Sequence, residues 1–119
     1  MGAATNPDQL IELVERRSAT WSVIDGECFD EVFLAKIARK GIKILFLDDN
    51  AFLTSYPVNL LLNQNIFALP AMYTGKTKAK LLLGENYTLL RTNLLERQIR
   101  SREHPDVATK LLVTFGGAD

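Results

Sequence analysis

Three short polar clusters in this 119-residue chain could do chemistry: Asp48-Asp49-Asn50, Asn63-Gln64-Asn65, and Asp25. Each follows an apolar run. Carboxylates accept hydrogen bonds from hydroxyl and amide N–H groups, and carboxamides both donate and accept, so the set suits a polyol or acetamido sugar. The same residue types close Asx turns and cap helices. On the residues alone both readings stay open. Gly116-Gly117, after the run Leu111 to Phe115, is a fourth candidate. Without a Cβ in the way, backbone N–H groups there can approach a phosphate.

Other residues carry less. Thr74-Gly75-Lys76-Thr77 has the look of a P-loop ending, but Pro70 stands where the upstream glycine is required. His104, the only histidine, precedes Pro105 in a charged stretch and reads as a solvated linker residue. Cys28 reads as a small buried hydrophobe and Trp21 as a core or interface residue. One histidine and one cysteine do not build a His/Cys metal site. No metal is expected, although carboxylates leave Mg²⁺ open.

The elements that must position these clusters follow from pattern. Asn6-Pro7-Asp8 starts a helix with a capping Asn, Pro at the first helical position and an acid in the first turn. Thr20 to Ile24 reads as a buried strand ending at Asp25-Gly26. A second helix covers about Asp30 to Lys40, with Phe33, Leu34, Ile37 and Ala38 on one face, and Gly41 ends it. Ile44 to Leu47 is a second strand, "PVNLLLNQN" a shorter third, and "AKLLLGENY" a fourth. "RTNLLERQIRSREHP" reads as a short helix fraying into a charged linker, and "TKLLVTFGG" as a fifth strand. Near-continuous apolar strands alternating with helices predict an α/β fold, a Rossmann-like parallel sheet covered on both faces. Ligands of such sheets bind outside the carboxyl ends of the strands, where the three clusters fall.

Composition sets the bounds. Fourteen basic residues balance fourteen acidic ones, so there is no electrostatic case for nucleic acid or an anionic membrane surface. No apolar run approaches the roughly 18 residues of a membrane span. "MGAATNPDQ" has no basic start followed by an apolar core, so no signal peptide is visible. A single cysteine fits a reducing compartment, and the expected location is cytoplasmic.

Taken in order, "WSVIDGECF", "GIKILFLDDN", "VNLLLNQNI", "KLLLGENYTLLR" and "KLLVTFGGAD" resemble the nucleotide-sugar hydrolases of the pseudaminic acid pathway and the related spore coat polysaccharide proteins. The resemblance covers about Leu10 to Asp119. It implies a glycosyltransferase-B-like architecture of two Rossmann-like halves facing across a cleft. The activity implied is hydrolysis of a UDP-sugar to UDP and a free diacetamido-trideoxy sugar, with no cofactor. In those terms residues 1–97 correspond to the second part of the N-terminal domain and 98–109 to the interdomain linker. Residues 110–119 correspond to the first strand and Gly-Gly loop of the nucleotide-binding domain. Asp49, Asn63, Gln64 and Asn65 would form the sugar-side wall, and Gly116 and Gly117 the floor near the diphosphate. Tyr87 and Arg91 would orient the linker or face the cleft, with packing an equal role for Tyr87.

The family's opening Gly-rich loop with its histidine, G-x-G-H-x-x-R, has no counterpart in this sequence, so no catalytic residue is assigned. The expectation is a central fragment, inactive alone and marginally stable. It would self-associate through an exposed sheet edge or pair its last strand with its own sheet. Two other readings stand beside it: a complete non-catalytic α/β module that binds a partner or a sugar nucleotide, and a glycosyl-transfer role on the same architecture.

Overall fold

The structure, a computed structural model, describes residues 6–26, 28–92 and 106–113. The chain divides into two compact units, residues 1–89 and 90–119. The first holds helix α1 (Pro7–Arg17), strand β1 (Trp21–Asp25), helix α2 (Glu31–Arg39), and strands β2 (Lys43–Leu47), β3 (Leu60–Asn63) and β4 (Lys80–Leu83). It is an α/β unit with a four-stranded, all-parallel sheet in the order β1-β2-β3-β4.

Local chemistry sets the element ends. The Asn6 carboxamide accepts from Asp8 N at 2.8 Å, ahead of Pro7 at the start of α1. Asp30 caps α2 by accepting from Phe33 N at 2.8 Å. At its other end Gly41 N–H donates to Ala38 O with φ of 75°, a conformation glycine adopts without cost. Strand β3 begins at Leu60, later than the apolar run suggests, because Val58 N–H turns back to Tyr56 O. Asn59 is then free to accept from Ile44 N through its side chain at 2.9 Å.

Register decides the two sheet faces. Ile24, Phe46, Leu61 and Leu81 stand in line across all four strands. With Ile44 they meet Ile11 of α1 and Phe33, Leu34 and Ile37 of α2 in the core. Burying these side chains supplies about 1.5–3 kcal/mol each before entropy is counted. The opposite face carries Val23, Leu45, Leu47, Leu60, Leu62 and Leu82, none of which joins that core. Among the described residues, the expected helical cover on both faces is therefore present on one.

The fifth strand is not formed in its described part. Thr109 to Val113 has no regular structure, and Leu111 and Leu112 are 87% and 88% exposed. Strand propensity supplies no ladder by itself; a strand forms only where its backbone groups find partners. The rest of that strand, and most of the helix expected over 91–105, lie outside the described residues. No helix among the described residues is long and apolar enough to cross a membrane.

Candidate functional site

The carboxyl ends of β1, β2 and β3 bring Asp25, Asp48-Asp49-Asn50 and Gln64-Asn65 to one edge of the sheet. Two cavities open there. One of about 170 Å³ is lined by Asp25, Leu47, Asp48, Asp49, Leu62 and Gln64. The other, about 70 Å³, shares Asp25, Asp48 and Asp49 but adds the rings of Phe29 and Phe52. Carboxylates thus stand between a polar hollow and an aromatic one. That combination suits a ligand with hydrogen-bond donors on one side and an apolar ring or methyl face on the other.

Beneath the rim lies a polar network. Tyr73 OH donates to Asp48 Oδ2 at 2.6 Å, and Ala51 N–H donates to the same oxygen at 2.9 Å. Tyr56 OH reaches it at 3.4 Å while accepting from Leu53 N at 3.1 Å. Burial, first, and then the hydrogen bond to Asp48 push the Tyr73 phenol above its ordinary pKa. Burial and the Asp48 charge push Tyr56 up to about 12. Both phenols therefore stay protonated well above neutrality and serve Asp48 as donors.

Asn63, fully buried, links this network to the rim. Its Nδ2 donates to Tyr73 OH at 2.8 Å and to Asp49 O at 3.2 Å. Its Oδ1 accepts from Asn65 N at 3.1 Å and Asn65 Nδ2 at 3.0 Å. A carboxamide used on both sides in this way holds two loops together and turns Asn65 toward Asp49. Asn65 Nδ2 in turn meets Asp49 Oδ1 at 3.1 Å. Gln64 lines the larger cavity, and its Oε1 accepts from Leu89 N at 2.9 Å. Of the residues singled out in the sequence, the sheet edge brings together Asp49, Asn63, Gln64 and Asn65. Asp49 and Gln64 face the larger cavity, and Asn63 lies in the layer below.

Gly116 and Gly117 lie outside the described residues. Tyr87 and Arg91 are exposed. Cys28, expected buried, is exposed, since it sits in the connection between β1 and α2, and connections run over the surface. Trp21 is half-exposed, with the Lys43 ammonium 5.6 Å from its ring centre.

The sequence reading missed Tyr56, Tyr73 and the loop that ties them. Lys76 Nζ donates to Ala51 O at 2.8 Å, and Thr77 Oγ1 donates to Tyr56 O at 2.7 Å. Lys76 and Thr77, the residues of the P-loop-like stretch, thus fasten the loop after β2. Ala51 takes a φ of 55° there, an uncommon conformation for a residue with a Cβ. The only sequence signal for this layer was the pairing of aromatic and Thr/Lys residues in an otherwise irregular stretch. No protein-family model matches the chain, and no curated protein matches it at a significant level.

Proposed function

We propose that this chain is the sugar-recognising part of a nucleotide-sugar hydrolase. In this reading it contributes one Rossmann-like half of a glycosyltransferase-B-like enzyme acting on a UDP-linked diacetamido-trideoxy sugar. The observation that carries the reading is the shared carboxylate rim of the two strand-end cavities. Asp25 and Asp49 border both cavities, Gln64 closes the polar one, and Phe29 and Phe52 line the other. Acetamido N–H groups and ring hydroxyls are donors that match the carboxylates, and the acetamido and 6-deoxy methyls match the aromatic side. The family resemblance of "LNQN" and "LLLGENY" adds to this support, because the first of these motifs sits on the same edge.

The chain binds the sugar and leaves the glycosidic bond intact. Its one histidine, His104, lies in a charged stretch away from any Gly-rich loop, so the sequence offers no base of the family's kind. Incubating the protein with the UDP-diacetamido sugar, while following heat of binding and UDP release, tests both parts. Saturable binding without UDP release is expected. Release of UDP would overturn the second part, and absence of binding would overturn the first. Transfer of the sugar to an added acceptor would favour the glycosyl-transfer reading instead.

A further inference from the structure

We infer that two copies of this chain pair through β1, in antiparallel register about a two-fold axis at Ser22. Strand β1 is the edge of the sheet, and among the described residues no strand pairs with its outer side. An edge strand presents a row of N–H and C=O groups ready to accept another strand. Here the edge carries no Pro, no bulge and no Lys to discourage pairing. Instead Val23 is 67% exposed and Trp21 41% exposed, both on one side of the strand.

Ser22 supplies the register. It is buried, yet among the described residues its hydroxyl has no hydrogen-bond partner. It lines a groove of about 370 Å³ between β1 and α1, walled by Leu10, Leu13, Val14 and Arg17. An unsatisfied buried hydroxyl is destabilising, so a partner for it favours the pairing. A two-fold axis at Ser22 sets the two Ser22 residues opposite each other, within reach of a mutual hydrogen bond. The same axis sets Trp21 of each copy opposite Val23 of the other, an aromatic–β-branched pair on the exposed face.

Charge and shape agree with that arrangement. Ala19 falls opposite Asp25 of the second copy, which brings the Arg17 end of one groove to the acidic end of the other strand. Leu10, Leu13 and Arg17, at spacings of three and four, form a helical stripe along the groove. The axis runs through the sheet, so the two α1 helices meet on the same side and their stripes fill each other's grooves. The product is a continuous eight-stranded sheet with one antiparallel junction, a mixed pattern common among α/β sheets. Asp25 alone is shared with the strand-end cavities. The residues that set the register and the hydrophobic pairs, Trp21, Ser22 and Val23, line neither, so the two readings fail separately.

Sedimentation equilibrium of the full chain tests it, with three variants. The wild type is expected to show a monomer–dimer equilibrium with no larger species. Val23→Lys, at an exposed position that leaves the core intact, is expected to weaken the dimer about tenfold or more. In a Cys28→Ser background, Ser22→Cys is expected to give a disulfide-linked dimer on oxidation, and Val23→Cys is not. Residues on the axis come within disulfide range, whereas diagonal ones do not. A monomeric wild type, a dimer indifferent to Val23→Lys, or cross-linking at Val23→Cys in place of Ser22→Cys would overturn the inference.

Discussion

The Tyr73 hydroxyl donates to the Asp48 carboxylate across 2.6 Å, joining the end of β2 to a short 3₁₀ turn 25 residues further along the chain. This bond fixes the floor of the candidate site. Removing it with Tyr73→Phe leaves Asp48 short of a donor and takes an acceptor from Asn63 Nδ2. A charge-assisted bond of this kind contributes about 2 kcal/mol, and urea unfolding should register a loss of that order. Tyr56→Phe breaks a 3.4 Å contact and strands Leu53 N, so a smaller loss, about 1 kcal/mol, is expected. Equal losses would mean that Asp48 does not organise the network.

The same phenols give a pH signature. Their folded-state pKa values are raised, so the folded protein holds these protons more tightly than the unfolded chain does. Their contribution to stability is complete below the ordinary tyrosine value of 10.0 and is lost as pH climbs through the raised values, about 12 for Tyr56. Unfolding followed between neutral pH and this window should show stability falling only in its upper part. The fall should be shallower in Tyr73→Phe.

Ala51 provides a test of backbone strain. Its positive φ is held by its N–H on Asp48 and by Lys76 on its carbonyl. Lys76→Met removes one of these ties and should cost about 1 kcal/mol in urea unfolding. Ala51→Gly, which relieves the conformational cost, should restore most of that loss in the double variant. If the double variant is less stable than Lys76→Met alone, packing of the buried Ala51 methyl outweighs the strain.

Gln64 and Asn63 separate ligand contact from scaffolding. Gln64 lines the larger cavity, and Gln64→Ala should weaken sugar binding while leaving the unfolding midpoint nearly unchanged. Asn63→Ala opens a buried network, and a stability loss of about 2 kcal/mol should accompany any loss of binding. The two midpoints, measured side by side, check the assignment.

Much of the first unit was legible because its signals are local. Asn6, Asp30 and Gly41 punctuate the helices, and continuous apolar runs mark β1 to β4. What the residues alone could not convey is which long-range partners a side chain finds. Tyr56 and Tyr73 look like ordinary core aromatics until the fold sets both beside Asp48. Lys76 and Thr77 look like a phosphate loop until they are seen tying down Ala51 and Tyr56. Leu111 to Val113 is an apolar run that reads as a strand, yet an apolar run does not by itself specify a pairing partner. Asn63 illustrates the remaining ambiguity: a carboxamide at a strand end can serve a ligand or the loops around it, and here its bonds run to the loops.

Backbone amide shifts, mapped on titration with the UDP-diacetamido sugar, test most directly the proposed N-acetylated-sugar site at the strand-end rim. Saturable shifts clustered at Asp25, Asp48 to Asn50, Phe52 and Gln64 to Asn65, abolished by Asp49→Ala, are predicted. Shifts centred elsewhere, or none at saturating ligand, would contradict it.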